Sequence, residues 1–179
     1  MKIFNLLRDF VRIWKEFLWR CFNSIQSSGF VHHDIRLFLL RLVGCSLDPS
    51  VVIYENNYIG STNIVFGRNV FLNVGGFLDA CAKIELHDGV RLGPYVRILT
   101  GTHKYQNSIY RRNVTDELVR LPVTIERGCW IGMGAMILPE VTVREGCIIG
   151  AGAVVTHDTE PNGMYLGNPA TRIKDLPVE

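Results

Sequence analysis

An apolar residue recurs at every sixth position in the second half of the chain. The main series is Ile125, Ile131, Ile137, Val143, Ile149 and Val155. A second series lies two residues before each later member of the first: Cys129, Ala135, Val141, Cys147 and Ala153. Side chains two apart in a strand share a face, so each such pair can point into a core. An amphipathic helix would need apolar spacings of three and four. The period of six therefore predicts short strands joined at corners and stacked as the coils of a parallel β-helix.

The same rhythm runs upstream and stops at a histidine. We assign the upstream main series to Val74, Ala80, Leu86, Leu92 and Ile98, and its partner series to Leu78, Ile84, Val90, Val96 and Thr102. The spacing from Ile98 to Ile125 is not a multiple of six, so residues 103–122 are predicted to form an insertion extruded from a regular coil. Loops of this length in a compact domain usually have a function.

Two stretches, PVTIERGCWIGMGAMILPEVTVREGCIIGAGAVVTHD and GNPATRIK, resemble the hexapeptide-repeat O-acetyltransferases. This group includes galactoside, maltose and serine acetyltransferases and many polysaccharide-modifying enzymes, and the resemblance covers about residues 50–176. It implies a left-handed parallel β-helix. Combined with the residue spacings, this predicts an all-β fold with N-terminal helices, built as a single-stranded left-handed parallel β-helix with the extruded loop at 103–122. The resemblance also implies a homotrimer with acetyl-CoA as donor and active sites between adjacent subunits. The left hand rests on the resemblance alone, because parallel crossovers are ordinarily right-handed.

Composition agrees with one compact unit and excludes several other classes of protein. The chain has 179 residues, 47% of them hydrophobic, and a net charge of only +2, which gives no electrostatic case for nucleic-acid binding. Its five cysteines lack the close pairs of a zinc ribbon or a disulfide framework. No stretch has the pattern of a secretory signal peptide, so we expect a cytoplasmic protein.

Residues 1–46 follow a different pattern and are predicted to form a helical segment ahead of a β-helix domain over residues 47–179 that ends in a C-terminal tail. Apolar residues lie at helical spacings from Ile3 to Leu18 with basic residues among them. Two interpretations stay open for residues 1–25: a helix packed on the β-helix or a neighbouring subunit, or a helix on the inner face of the membrane. A second helix should end at Gly44. His32, His33 and Asp34 suit an exposed turn better than a metal site.

His103 is the predicted catalytic base. Acyl transfer to a hydroxyl needs a base for the hydroxyl proton, and imidazole, with an ordinary pKa of about 6.5, suits neutral pH. In the family that this chain resembles, the histidine of a T-x-T-H stretch at the start of this loop has that role, and residues 99–105, LTGTHKY, match it.

Four residues are predicted to contact the acceptor. Asn73 aligns with a family asparagine near the acceptor hydroxyl, and an amide can both donate and accept hydrogen bonds. Asp79 is either a solvated corner residue or a carboxylate that binds the acceptor or orients an imidazole. Trp130 either walls the acetyl site or packs in the fold. Tyr105 in the extruded loop either stacks on a sugar or contacts another subunit, and the same alternatives apply to Tyr110, Arg111 and Arg112.

The donor is expected along the outside of the later coils, where small residues let an extended pantetheine arm approach the backbone. Alignment with the family places CoA contacts at Met133, Gly134, Ala151, Thr156, His157, Arg172 and Lys174. At position 157 the family usually has lysine. Arg172 and Lys174 offer hydrogen-bond donors to phosphates.

The predicted function is acetyl-CoA-dependent O-acetylation of a sugar in capsular, exopolysaccharide or lipopolysaccharide biosynthesis. An amino acid, an amino-sugar nucleotide or an antibiotic is the alternative acceptor. A non-catalytic scaffold and a metal-dependent enzyme are the remaining alternatives. A catalytic zinc site would need about three convergent ligands, and the β-helix holds only His87, His103 and His157. We therefore expect no metal requirement.

Overall fold

The computed structural model describes residues 2–105, 109 and 118–178. Two α-helices open the chain, α1 (Lys2–Gln26) and α2 (His33–Leu42), and a parallel β-helix follows. Tyr110, Arg111 and Arg112, considered above for acceptor contacts, lie outside the described residues. Within the described part of the chain, no helix is both long enough and apolar enough to cross a bilayer.

The strands form three parallel sheets that the chain visits in rotation. The first sheet contains β1 (Ser46–Leu47), β4 (Ile64–Phe66), β7 (Ile84–Leu86), β12 (Val123–Ile125) and β15 (Thr142–Val143). The second contains β2 (Val52–Ile53), β5 (Phe71–Leu72), β8 (Arg91–Leu92), β13 (Trp130–Ile131), β16 (Ile148–Ile149), β18 (Gly163–Leu166) and β19 (Thr171–Asp175). The third contains β3 (Tyr58–Ile59), β6 (Phe77–Leu78), β9 (Arg97–Ile98), β14 (Met136–Ile137) and β17 (Val154–Val155).

Downstream of the insertion, each coil is three hexapeptides long, as the sequence period predicts. Ile131 pairs with Ile149, and Ile125 pairs with Val143, eighteen positions along in both cases. These residues and their second-series partners are at most 2% exposed. The prediction of a parallel β-helix with an apolar interior is confirmed for this half of the chain.

Upstream, part of the predicted register is wrong. Leu72 points inward and is fully buried, whereas Val74 is only half-buried. Leu72 pairs with Leu92, so this coil is two residues longer than three hexapeptides. The extra residues lie at the corner between β6 and β7, where Ala80 is buried but has a positive φ of 52°. Thr102, placed in the inward series, is also exposed.

The core consists of three columns of stacked apolar side chains, one column for each sheet. Representative members are Ile53, Phe66 and Ile59, each at most 2% exposed. Full burial of such a side chain contributes roughly 1.5–3 kcal/mol relative to leaving it exposed. Because the interior supplies this stability, the outward positions and the corners are available for binding and chemistry.

The helices are fixed to the first coils by buried polar contacts. Arg36, which is 2% exposed, donates from Nε to Gln26 O at 2.5 Å and from a terminal nitrogen to Ile53 O at 2.7 Å. Its second terminal nitrogen donates to Ser28 O at 2.9 Å and to Val31 O at 3.0 Å. Burial lowers the pKa of Arg36, an effect that the charge of Glu55 partly offsets. One side chain therefore joins both helices to the coil that carries β2.

Two antiparallel hairpins interrupt the parallel pattern. The strands β10 (Gly101–Thr102) and β11 (Val119–Arg120) pair at the base of the insertion, with Gly101 opposite Arg120. The insertion therefore leaves the coil beside His103, where the sequence rhythm stops. The second hairpin, β18 and β19, closes the C-terminal end of the second sheet.

Candidate active site

An open groove of about 600 Å³ runs along the second sheet and the corner where the chain passes into the third sheet, which we call the second corner. Outward positions of successive strands form its wall, because residues that flank an inward side chain on a strand point to the other face. The wall residues are Phe71, Arg91, Trp130 and Ile148, and the corner contributes Asn73, Met133 and Ala151. Four predicted site residues, Asn73, Trp130, Met133 and Ala151, therefore line one groove.

Trp130 lies on the surface and not in the core. Its side chain is 57% exposed and that of Met133 is 54% exposed, whereas Ile131 between them is fully buried. Large apolar side chains held in solvent beside a groove are available for contact with a ligand. The packing alternative for Trp130 is thus not supported by its position.

The glycines at the second corner have two different roles. A β-carbon on Gly132 would lie 2.7 Å from the main-chain nitrogen of Ala151, so this glycine lets adjacent coils approach each other. Gly134 has a φ of 67°, and its β-carbon position has no described atom within 4 Å. Because its main-chain nitrogen donates to Pro94 O at 2.8 Å, Gly134 offers a ligand open space beside its α-carbon and not a free N–H.

Asn73 is half-buried at the edge of the groove, directly after β5. Its side-chain oxygen accepts a hydrogen bond from the main-chain nitrogen of Val74 at 2.8 Å. Among the described residues, its amide nitrogen has no protein acceptor. The local bond orients the amide, and the –NH₂ group remains able to donate to a ligand oxygen.

Asp79 lies at a different place, the corner where the third sheet leads into the first sheet of the next coil, which we call the third corner. Its carboxylate accepts hydrogen bonds from the main-chain nitrogens of Thr100 at 3.0 Å and Gly101 at 2.8 Å. The Thr100 hydroxyl donates at 3.2 Å and the Cys81 thiol at 3.0 Å. Asp79 is therefore committed to groups of the chain itself and fixes the segment that leads to His103.

The same contacts shift the pKa values of Asp79 and Cys81. Burial raises the pKa of Asp79, but the hydrogen bonds from Cys81, Thr100 and Gly101 together outweigh it, so the pKa lies below its ordinary value. For Cys81, burial and then the hydrogen bond and charge of Asp79 raise the pKa to about 11. At neutral pH the pair is an ionised carboxylate beside a neutral thiol.

His103 follows β10 at this third corner and is half-buried. Tyr105, two residues on, is 85% exposed. Within one chain, His103 and Asp79 lie at the third corner, whereas Asn73 and Trp130 lie along the second sheet and the second corner. The single chain thus does not bring the predicted base together with the groove.

The remaining predicted donor contacts are divided between regions. Thr156 and His157 follow β17 at the third corner, where the Thr156 hydroxyl and Nδ1 of His157 are 2.9 Å apart. Lys174 is exposed on β19. Arg172 donates to Asp175 at 2.9 Å and to the main-chain oxygens of Glu160 and Pro161 at 3.1 and 3.0 Å. Its guanidinium is thus largely occupied in fixing the C-terminal hairpin.

Arg91 is a charged groove residue that the sequence analysis did not predict. Arg91 lies opposite Trp130 in the second sheet, and its guanidinium lies 5.7 Å from the centre of the Phe71 ring. Among the described residues, Arg91 has no carboxylate within ion-pair distance. Its position at the outward place of a hexapeptide was the available signal, but an exposed arginine is common at such places.

One cluster of side chains capable of binding a metal occurs in the described part of the chain. It consists of His32, His33 and Asp34, whose ligand atoms lie within 4.8 Å of one another. Nδ1 of His32 is 3.3 Å from the Asp34 carboxylate, and both side chains are more than half exposed. His32 is the N-cap of α2, and His33 and Asp34 lie in the first turn of this helix instead of in the predicted turn, although His32 and Asp34 are exposed as expected.

Residues 122–157 match the family model described as bacterial transferase hexapeptide, six repeats. Over 118 residues, the chain is 43% identical to a protein of Schizosaccharomyces pombe named as an acetyltransferase. That match covers 65% of this chain and 55% of the relative, so the chain spans little more than half of the relative's length. Residues 122–157 thus carry the hexapeptide repeats of this family, and the resemblance drawn from the motifs is confirmed.

Solved structures agree with the fold over most of the chain. A maltose O-acetyltransferase from Clostridium difficile 630 superposes with a TM-score of 0.82 at 29% identity, covering 93% of this chain and 88% of that one. A hexapeptide-repeat acetyltransferase from Vibrio cholerae O1 biovar eltor, complexed with acetyl-CoA, superposes with a TM-score of 0.72 at 24% identity, covering 89% and 86%. The expected left-handed parallel β-helix with N-terminal helices is confirmed.

Proposed function

We propose that the protein is an acetyl-CoA-dependent O-acetyltransferase that modifies a sugar hydroxyl. The observation that carries the proposal is the groove on the second sheet, where exposed Trp130 and Met133 lie beside the open space at Gly134. An extended thioester suits an open apolar groove better than it suits an enclosed cavity. The maltose O-acetyltransferase named above, with the same fold at 29% identity, supports this reaction class.

The chemistry assigned to His103 is general acid–base catalysis. A neutral imidazole nitrogen accepts the proton of the sugar hydroxyl while the hydroxyl oxygen attacks the thioester carbonyl. The tetrahedral intermediate collapses with cleavage of the carbon–sulfur bond, and the leaving thiolate takes the proton from the imidazolium. The products are the acetyl ester and CoA, and His103 returns to its neutral form without a change in redox state.

The active form is proposed to be a homotrimer with each site between adjacent subunits. The third corner of one subunit would supply His103, and the groove of its neighbour would supply Asn73 and Trp130. Support comes from the separation of these groups within one chain, which leaves each set incomplete without a second copy. In a cyclic oligomer, each interface joins one surface of a chain to a different surface of its neighbour. Such an interface can bring the third corner of one subunit to the groove of the next.

The donor would lie along the groove with its phosphates near basic side chains. Arg91 and Lys174 are the cations available for this role, and His157 at the third corner of a neighbouring subunit is a further candidate. Arg172 would act indirectly, because its donors already hold the main chain of the C-terminal hairpin. Thr156 is assigned a contact with the donor beside His157, and Ala151 and Gly134 leave space for the pantetheine arm.

The acceptor is proposed to be a saccharide precursor of a cell-surface polysaccharide, processed in the cytoplasm. The amide nitrogen of Asn73 can donate to a sugar oxygen, and exposed Tyr105 can stack on a sugar ring. The test is acetyl-CoA consumption, followed as free thiol, with neutral, amino and acidic sugars and with amino acids as separate acceptors. Acceptor-dependent thiol release with sugars is expected. Release only with an amine or an amino acid would overturn the sugar assignment and retain acetyl transfer.

A further inference from the structure

The described part of the first half of α1 is open to solvent. Every described residue from 8 to 18 is exposed, whereas the last two turns are fixed to the solenoid. Trp19 Nε1 donates to Ile59 O at 2.9 Å, Asn23 Nδ2 donates to the same oxygen at 3.0 Å, and Gln26 Nε2 donates to Asn57 O at 2.9 Å. The exposed half is therefore the continuation of an anchored helix.

An aromatic face lies along this exposed half. At about 100° per residue, Phe10, Trp14 and Phe17 fall on one side of the helix. Their side chains are 59%, 48% and 53% exposed, and their rings meet edge to face at 6.0 and 5.7 Å between centroids. The neighbouring positions Val11 and Leu18 are equally open to solvent. A continuous exposed apolar face of this kind indicates a binding surface.

Basic residues border the aromatic face. The helix carries five basic and two acidic residues, a net charge of +3, although the whole chain has a net charge of only +2. Lys15 and Arg20 fall at opposite borders of the apolar arc. Arg8 lies beside Lys15, so that border is positive, whereas Asp9 lies about 20° from Arg20 and offsets part of its charge. The helix as a whole remains basic.

We propose that α1 binds the surface of a bilayer that contains anionic lipids, with its aromatic face at the acyl boundary and Lys15 and Arg20 among the headgroups. Interfacial helices combine these features, with apolar and aromatic residues on one face and basic residues beside it. A second copy of the chain is a less suitable occupant, because two α1 helices face to face would bring like charges together. The proposal does not depend on acetyl transfer.

The test is co-sedimentation of the full chain with vesicles of phosphatidylcholine alone and with an equal mixture of phosphatidylcholine and phosphatidylglycerol. Binding is expected to the mixed vesicles, with much weaker binding to the neutral ones, and to fall as salt is raised. The double variant Lys15→Glu, Arg20→Glu should bind mixed vesicles at least about thirtyfold more weakly, at about 1 kcal/mol for each basic residue lost.

The aromatic face is tested separately with Trp14→Ser, Phe17→Ser. This variant should lose at least about tenfold in vesicle affinity. Its matched control is Ile173→Ser, because Ile173 on β19 is as exposed as Phe17, at 53%. Circular dichroism and sedimentation velocity verify the fold and assembly of each variant. Equal binding to both vesicle types, or wild-type binding by the aromatic variant, would overturn the proposal. A change in assembly mass would assign the face to contacts between subunits instead.

Discussion

Replacement of Asp79 by asparagine tests whether a charged carboxylate fixes the third corner. In the native chain, this carboxylate accepts from the main-chain nitrogens of Thr100 and Gly101. A hydrogen bond to a charged acceptor contributes about 1.5–3 kcal/mol, and a neutral one about 0.5–1.5 kcal/mol. Asp79→Asn retains an oxygen for these donors but loses the charge. At about 1 kcal/mol for each of the two main-chain bonds, the free energy of unfolding should fall by about 2 kcal/mol.

The assay is thermal unfolding at one protein concentration, because the stability of an oligomer depends on concentration. For a chain of this size, a loss of about 2 kcal/mol lowers Tm by about 4–8 °C. The control is Asp88→Asn. The Asp88 carboxylate is bound by Arg68 at an exposed corner, so its loss should lower the free energy of unfolding less. Because Gly101 lies two residues before His103, Asp79→Asn should also lower kcat while acetyl-CoA binding is retained.

The pH dependence gives an independent check with a defined sign. The folded-state pKa of Asp79 is lowered, so its contribution is present above the ordinary carboxyl pKa of about 3.9 and is lost as pH falls through the folded value. The stability difference between wild type and Asp79→Asn should therefore be constant near neutrality and narrow below about pH 4. Identical unfolding curves for the two proteins across this range would refute the argument.

Three further predictions concern the helices, the groove and the assembly. Arg36→Met should lower the free energy of unfolding by more than about 3 kcal/mol in urea, because buried carbonyl oxygens lose their donor; Arg41→Met, at an exposed position, is the control, and equal losses would contradict the role of Arg36. Trp130→Ala should weaken acetyl-CoA binding at least about tenfold in calorimetry, with Tm unchanged because the side chain is exposed; wild-type affinity would remove Trp130 from the donor site. Refolding an equal mixture of His103→Ala and Trp130→Ala should restore activity in about a quarter of the interfaces, because a heterologous interface can join an intact His103 surface to an intact Trp130 surface. No recovery in mixed oligomers would place each site within one chain.

The regular half of the fold was predictable because its coils contain three complete hexapeptides. Upstream, the two extra residues at the corner between β6 and β7 shifted the register, and the sequence could not reveal them. Val74 and Ala80 are themselves apolar, so the false series continues the rhythm as well as the true one. Periodicity identifies which residues alternate, but it cannot locate an insertion when both possible registers place apolar residues at the inward positions.

The sequence predicted several residues that line one groove, but it could not predict the local hydrogen bonds. The motif positions Trp130, Met133 and Ala151 do lie together, because equivalent places in successive coils stack above one another. Alignment could not show that the donors of Arg172 are taken by the carbonyls of residues 160–162, since main-chain acceptors have no sequence signature. Arg91 was missed because the repeat pattern does not show that its outward position faces the groove.

Acceptor-dependent release of CoA by wild type, His103→Ala and His87→Ala, with acetyl-CoA binding measured on the same samples, tests the central claim most directly. His87 is the matched control, as it is an exposed histidine after β7 on the same β-helix. Loss of general-base catalysis should slow His103→Ala by at least about a hundredfold while acetyl-CoA affinity and oligomer mass are unchanged. His87→Ala should retain wild-type turnover. Near-wild-type turnover by His103→Ala would contradict the account.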